Sequence, residues 1–275
     1  SEFKDLGFNS KELRAIGFSG SELRSSNFSC IDMRSGGYNV TQLLACAFSV
    51  SDLYEAGFTC PELIIAGVSI SSLRDIGCTA VEMFTAKVAP NSLRESGYTA
   101  KQLLEGGYKV NTIKNGGYDA QALKEAGVEA KMLKKLGFSG LDLAIAKYSP
   151  EQMKEASFTC KELFSNGYSI RDLFLAGYGV EALIDAGATV SDLREGGVTA
   201  TDIKNLPKFY FVRSSAKLKL SDLRAGGYTG TELKSCYSCK ELRAVGYTVS
   251  DLKSSSTIGE LKSAGFSAGE LRNAQ

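Results

Sequence analysis

The sequence contains no histidine and no tryptophan, and only four of its 275 residues are proline. Histidine is the usual general base near neutral pH and the commonest metal ligand, so its absence removes many familiar catalytic and metal-binding arrangements. We therefore expect no catalytic residue, no cofactor and no metal site. No apolar run approaches the roughly 18 to 25 residues that a membrane-spanning helix needs, and no signal peptide is recognisable.

An excess of one charge is also absent. The 32 lysines and arginines are balanced by 31 aspartates and glutamates, which leaves a net charge of +1. This balance gives no general attraction to nucleic acid or to anionic lipid. Apolar residues make up 43% of the chain, a fraction that is typical of a folded protein.

Glycine is abundant, with 29 residues, and an internal repeat of ten residues explains it. The consensus is Gly, Phe or Tyr, Ser or Thr, a small residue, any residue, Glu or Asp, Leu, Lys or Arg, any residue, Ala. From Leu13 to Ile203 the register does not slip, so the last digit of the residue number gives the position in the repeat. Position 3 is Leu, Ile or Met in all twenty of these repeats.

The repeat specifies both ends of a short helix. Ser19 is a good N-cap, and Glu22, three residues later, completes a capping box. Position 9 is Ser, Thr, Asn, Asp or Gly in seventeen of the twenty repeats, and position 2 is Glu, Asp or Gln in fourteen. Glycine at position 7 suits the left-handed residue that ends a helix. Each repeat therefore predicts a capped helix of seven residues.

A helix this short, about 10 Å long, does not persist alone in water. Val40, Leu43 and Cys46 lie on one apolar arc, which only neighbouring repeats can bury. Pentapeptide-type β-coils also repeat Leu and Phe at short intervals, but they need neither the acid nor the glycine. We predict an all-α solenoid or superhelix with one very short capped helix per ten residues. Odd and even repeats look alike, so we expect equivalent places for all helices.

The chain thus resembles the α-solenoids, the class that includes tetratricopeptide, HEAT and armadillo proteins. Their repeats are about 34 to 47 residues long, so the resemblance is architectural and transfers no functional residue. The opening Gly17-Phe18-Ser19 is similar to mitochondrial transcription-termination-factor repeats, but that likeness stops at the cap. Membership of the class implies binding of other macromolecules along an extended surface.

Regularity fails after Ile203. Residues 207–218 keep the length but lose the cap, the acid and the leucine, and Phe209, Tyr210 and Phe211 form an extended apolar run. We predict a main array over 1–206, a break over 207–218 and a short C-terminal array over 219–275. The break is interpreted either as a degenerate repeat whose aromatic residues fill the core or as a bend where a partner docks.

The first five of the seven cysteines, Cys30, Cys46, Cys60, Cys78 and Cys160, fall where other repeats carry Ala, Val or Phe, so we expect them to be small buried side chains, and we expect all seven thiols to be free. Cys236 and Cys239 form a Cys-x-x-Cys pair, which is a weak indication of redox chemistry or of half a zinc site. Unpaired cysteines favour a reducing compartment, so we expect an intracellular, cytoplasmic protein.

Position 4, which follows the leucine, is basic in many repeats. These residues, here called the basic ladder, are expected either to pair with acids of neighbouring repeats, such as Glu22 or Asp192, or to form a track for an acidic partner or a phosphate backbone. The basic ladder comprises Arg14, Arg24, Arg34, Arg74, Arg94, Lys114, Lys124, Lys134, Lys154, Arg194 and Lys204.

In other repeats position 4 is apolar. Groups of such residues in consecutive repeats, here called the apolar edge, are expected either to bind a protein partner or to be buried where the array curves. The apolar edge comprises Leu44, Tyr54, Ile64, Phe84, Leu104, Phe164, Phe174 and Ile184.

These features predict a non-enzymatic scaffold that binds or spaces proteins. The alternatives are binding of nucleic acid or an acidic partner along the basic ladder, and an interaction module of a larger effector or enzyme. We expect a protein partner, no membrane association and no general affinity for nucleic acid. The chain begins inside a repeat and ends without a specialised cap, which predicts a longer protein or end-to-end self-association.

Overall fold

A computed structural model of the chain describes residues 2–206 and 218–274. These residues form twenty-seven short helices and no strand, which confirms the predicted all-α solenoid with one helix per ten residues. The helices are α1 Glu2–Asp5, α2 Ser10–Ala15, α3 Gly20–Ser25, α4 Cys30–Ser35, α5 Val40–Ala45, α6 Val50–Glu55, α7 Cys60–Ile65, α8 Ile70–Asp75, α9 Ala80–Thr85, α10 Pro90–Glu95, α11 Ala100–Glu105, α12 Val110–Asn115, α13 Ala120–Glu125, α14 Ala130–Lys135, α15 Gly140–Ile145, α16 Pro150–Glu155, α17 Cys160–Ser165, α18 Ile170–Leu175, α19 Val180–Asp185, α20 Val190–Glu195, α21 Ala200–Lys204, α22 Leu220–Ala225, α23 Gly230–Lys234, α24 Cys239–Ala244, α25 Val249–Leu252, α26 Ile258–Ser263 and α27 Ala268–Asn273.

The first turn of most helices is closed by the predicted capping box. In α3 the Ser19 hydroxyl accepts a hydrogen bond from the Glu22 backbone N–H at 3.3 Å, and the Glu22 carboxylate accepts one from the Ser19 N–H at 2.8 Å. Among the regular repeats the cap side chain makes no bond to its helix at Ala89, Lys109, Glu129 and Gly179, where the cap residue is not Ser, Thr, Asn or Asp. The sequence pattern therefore identifies the helix starts correctly.

The helix C-terminus ends in a Schellman motif. In α2 the Phe18 N–H donates to the Leu13 carbonyl and the Gly17 N–H donates to the Arg14 carbonyl, each at 3.0 Å. Gly17 has φ of +103°, a left-handed conformation that glycine adopts without steric cost. Most helices contain six residues, one fewer than predicted, because position 6 is the C-cap that begins this motif.

By contacts the chain divides into two compact units, Ser1–Val128 and Glu129–Gln275. Within each compact unit a helix packs mainly on the helix two repeats away, as α7 does on α9 and α14 on α16. Odd and even helices share this relation, because α10 packs on α12 as α11 packs on α13, and this confirms their predicted equivalence. The residue at position 3 is the centre of the core and is almost completely buried throughout the regular repeats.

A small residue late in the helix allows the close helix approach that the sequence predicts. A Cβ atom on Gly106 would lie 2.8 Å from the carbonyl carbon of Ala80, which opens the helix two repeats earlier. Real Cβ atoms do not come this close to a backbone, so the contact requires glycine there. Where position 6 is alanine, as at Ala56 and Ala176, the side chain is buried.

Tyrosine hydroxyls connect the same pairs of repeats. Tyr98 donates to the Cys78 carbonyl at 2.7 Å and Tyr178 donates to the Phe158 carbonyl at 2.7 Å, in each case 20 residues earlier. Burial raises the pKa of Tyr178 to about 12, and the pKa of Tyr118 is raised to about 12 for the same main reason. The hydroxyls therefore stay protonated near neutral pH and act as donors.

Packing continues past the interruption in the sequence. The Tyr228 hydroxyl donates to the Val198 carbonyl at 2.7 Å across 30 residues, where the regular repeats have 20. Likewise α20 packs directly on α22, and Lys204 donates to the Cys236 carbonyl across 32 residues. One repeat length accounts for the difference, so the helices on either side of the interruption meet as if they were two regular repeats apart.

Residues 207–217 lie outside the described residues, and with them Phe209, Tyr210 and Phe211. The predicted division into 1–206, 207–218 and 219–275 therefore stays a prediction. In the ranges 2–206 and 218–274 no helix has both the length and the apolar character to cross a bilayer.

Candidate interaction surface

The basic residue at position 4 covers the end of the helix two repeats on. Arg34 donates from Nη1 to the Ala56 carbonyl at 2.7 Å, and its guanidinium carbon lies 4.8 Å from the centre of the Phe58 ring. Ala56 is the C-cap of α6, and its carbonyl has no partner within the helix. A cation at this end also interacts favourably with the helix dipole, and the ring face attracts it further.

This arrangement recurs along both compact units. The cation contacts the ring that lies 24 residues later in the regular repeats, and it donates to a carbonyl 22 or 23 residues later. The pairs with a cation over a ring include Arg14 with Tyr38 at 4.5 Å, Arg24 with Phe48 at 4.7 Å, Lys134 with Phe158 at 4.0 Å, Lys154 with Tyr178 at 5.5 Å, Lys204 with Tyr237 at 5.4 Å and Arg224 with Tyr247 at 5.3 Å.

The expected pairing of the basic ladder with carboxylates is thus mostly wrong, because backbone carbonyls and rings are the nearer partners. Among the residues that the structure describes, the ion pairs include Lys4 with Asp32 at 2.6 Å, Arg194 with Glu232 at 3.5 Å and Lys234 with Glu260 at 2.8 Å. Most acids at position 2 are engaged in capping boxes, and Asp32, Glu232 and Glu260 of these ion pairs also complete one. Lys114 and Lys124, two further members of the basic ladder, are half-buried at the same repeat position.

The apolar edge is less exposed than a simple surface patch. Leu44, Tyr54 and Ile64 are half-buried, as are Phe164 and Phe174. Ile184 is only 8% exposed, so for this residue the structure agrees with the alternative that the array buries position 4.

The register of the cation–ring pairs explains where position 4 is apolar. The ring position 24 residues after Leu44, Tyr54 and Ile64 holds Val68, Cys78 and Val88. The same position after Phe164 and Phe174 holds Ala188 and Val198. Where the ring is missing, a larger apolar side chain replaces the cation. Phe84 is different, because it packs edge-on against Tyr108 with ring centres 5.0 Å apart.

Sequence reasoning missed three strongly exposed apolar side chains, which lie one residue further along the helix. Ile65 is 87% exposed, Leu175 is 70% exposed and Ile145 is 68% exposed. Position 5 carries Glu, Ser, Lys, Asn, Ala or Asp in most repeats, so an apolar residue there was a readable signal. Ile65 adjoins Ile64 of the apolar edge, and Leu175 adjoins Phe174.

The cysteines depart from expectation in one pair. Cys60 and Cys78 form a disulfide with their Cα atoms 6.2 Å apart, so the prediction that all seven thiols are free is wrong. Position 10 of one repeat faces the position 8 that lies 18 residues later in the chain. Cys60 and Cys78 occupy these two positions. Cys236 and Cys239 are buried free thiols with separate partners, Thr201 Oγ1 at 3.4 Å and Ser256 Oγ at 3.3 Å.

Helices of six residues, with a cap at each end and packing two repeats apart, define a class of α-solenoid with one helix per repeat. The family described as the Decapeptide repeat region matches residues 1–67, 37–110, 77–150, 141–206 and 217–275, and the chain belongs to this family. Searches among curated proteins and among solved structures found no match.

Proposed function

We propose that the chain is a non-enzymatic scaffold that binds or spaces other proteins. The observation that carries this proposal is the pair of adjacent apolar side chains at the end of α7 and of α18. Ile65 and Leu175 are 87% and 70% exposed, and the half-buried Ile64 and Phe174 precede them. Apolar side chains exposed beside further apolar surface favour contact with another protein.

The use of polar groups supports the same proposal. In the described repeats, most position 9 hydroxyls and position 2 carboxylates are engaged in capping boxes, as in Thr59 and Glu62. Many tyrosine hydroxyls and position 4 cations are bonded to backbone carbonyls. These polar groups already have structural partners. The side chains that vary between repeats are therefore those at the helix ends.

Exposed positions allow a direct test. Ile65→Ser and Leu175→Ser together should release protein partners from the intact chain in affinity purification from its native cell, with far-ultraviolet circular dichroism unchanged. Ile31→Ser is the matched control, because Ile31 is 58% exposed at position 1. Recovery of the same partners by all three proteins, or no partner for the unaltered chain, contradicts the proposal.

The basic ladder provides a second candidate, which is binding of an acidic partner or a nucleic acid. Arg24, Arg74 and Lys154 are exposed, although each also donates to a carbonyl. Binding to a phosphate backbone would weaken steeply as salt rises. Absence of retention on heparin at moderate salt would remove this candidate.

The intracellular location and end-to-end self-association stay predictions. The Cys60–Cys78 disulfide is evidence against a strongly reducing compartment, because such compartments keep thiols reduced. Light scattering at several concentrations tests self-association, and a constant monomer mass contradicts it.

A further inference from the structure

We propose that Cys60, Cys78 and Glu82 form a binding site for a thiophilic divalent cation such as Zn²⁺ when the disulfide is reduced. One sulfur or oxygen atom from each residue lies within 4.8 Å of the other two. Two thiolates and a carboxylate are ligands that Zn²⁺ uses in proteins, and water fills the remaining position of a site with three protein ligands.

The fold holds these three residues in place. Cys60 is the first residue of α7, and Cys78 directly precedes Thr79, the N-cap of α9. Since α7 packs on α9, the two sulfurs are close whether or not they are bonded. Cys60 is 0% exposed and Cys78 is 3% exposed, so neither thiol is free to turn into solvent.

Glu82 is oriented toward the sulfurs by its own capping box. Its Oε2 atom accepts from the Thr79 N–H at 2.7 Å and from the Thr79 hydroxyl at 2.8 Å. Its Oε1 atom lies 3.4 Å from Cys60 Sγ. A sulfur in a disulfide has no proton to donate to this oxygen, whereas a bound cation would contact both atoms. Fixing a ligand through its second oxygen is a common support for metal sites.

Reduction and binding balance as two steps. A dithiol gives two electrons and two protons to the disulfide, so its own sulfurs become bonded and Cys60 and Cys78 become thiols. Zn²⁺ then replaces the two thiol protons, which are released to solvent. A surface cavity lined by Cys78, Thr79 and Ala80 lies beside the proposed site.

The repeat supplies a matched site that lacks one ligand. Cys30 occupies the place of Cys60, Phe48 that of Cys78 and Asp52 that of Glu82, 18 and 22 residues later. The same 18-residue register brings the position of a Cβ on Gly20 within 3.3 Å of the Tyr38 ring. Phe48→Cys should therefore create a second site of the same kind.

Co²⁺ is a suitable probe, added to the intact chain after reduction by a dithiol and its removal without oxygen. The reduced chain should show sulfur-to-cobalt charge transfer and the visible bands of tetrahedral cobalt, and Zn²⁺ should displace both. Cys78→Phe, which restores the usual aromatic residue, should remove the signal, and Phe48→Cys should raise the stoichiometry from one ion to two.

Glu82→Gln removes the carboxylate ligand but keeps the helix cap, because glutamine also completes a capping box. We expect Co²⁺ affinity to fall by at least about tenfold in this variant with the helix content unchanged. The proposal is overturned if the reduced chain gives no charge-transfer band, if Cys78→Phe keeps it, or if Glu82→Gln binds as tightly as the unaltered chain. Circular dichroism of each variant verifies folding, and the gain in Phe48→Cys does not depend on disrupting the original site.

Discussion

At the scale of the residue, position 7 shows what a single backbone angle requires. Every helix that ends in a Schellman motif needs a left-handed residue there, and glycine usually supplies it. Asn27, Ala47, Lys87, Lys147 and Ser157 adopt the same conformation with positive φ. A side chain in this conformation costs about 1–2 kcal/mol, partly offset by the greater entropy that glycine loses on folding.

Ala47→Gly should therefore stabilise the protein by about 0.5–1 kcal/mol. The opposite change, Gly67→Ala, should destabilise it by about 1 kcal/mol, because φ is +85° and a new Cβ would meet nothing within 4 Å. Urea titration of both variants measures these changes in the free energy of unfolding. Equal stability of all three proteins would show that position 7 carries no such strain.

Carboxylates at position 2 make stability depend on acid. The Ser49 hydroxyl and the Ser49 N–H donate to Asp52 and lower its pKa, and Thr159 lowers the pKa of Glu162 in the same way, through its N–H first. A depressed pKa contributes stability above the unfolded value, near 4, and this contribution is lost as pH falls through the folded value.

We expect the urea midpoint to fall from pH 7 to pH 3. A variant with Asp52→Asn, Glu62→Gln and Glu162→Gln should lose less over that range, because an amide at position 2 does not titrate and Gln42 and Gln102 already complete capping boxes. If the variant is as sensitive to acid as the unaltered chain, these carboxylates are not the cause.

At the scale of the element, sequence determined nearly everything about the helix itself. Local sequence patterns predict the caps at Ser19 and Glu22, the terminating residue Gly17 and the core residue Leu23, because each acts within a few residues of its partner. The partners of Arg34 could not be predicted from the sequence, since they are a carbonyl 22 residues away and a ring 24 residues away. Only the packing of alternate helices brings them together.

The candidate surface was predictable in part for the same reason. The apolar residues at position 4 can be identified from the sequence. Their role, which is to replace a cation where the ring is missing, depends on the register between alternate repeats. Burial of Ile184 and bonding between Cys60 and Cys78 also arise from that register. The exposed Ile65 and Leu175 can be found by comparing position 5 between repeats.

At the scale of the molecule, the packing of α20 on α22 predicts that one repeat length is dispensable. Deletion of residues 207–216 would change the separation of Val198 and Tyr228 from 30 residues to the regular 20. Lys217 would then occupy position 7, where Lys87 and Lys147 are already accommodated. We expect unchanged helix content and a stability equal to or above that of the full chain.

Thermal and urea unfolding followed by circular dichroism measure this outcome. Deletion of residues 97–106, a whole regular repeat, is a matched control of equal length that removes buried side chains such as Leu103. A loss of stability in the first deletion as large as that in the control contradicts the packing across the interruption.

Each helix is stabilised by the helix two repeats along the chain, and a pair of double-mutant cycles measures this stabilisation. Arg34→Met and Phe58→Leu should couple by about 0.5–1 kcal/mol in the free energy of unfolding, as should Arg24→Met and Phe48→Leu. The crossed pairs, Arg34 with Phe48 and Arg24 with Phe58, should couple by about zero. Coupling in the crossed pairs without coupling in the direct pairs would contradict the register on which the fold depends.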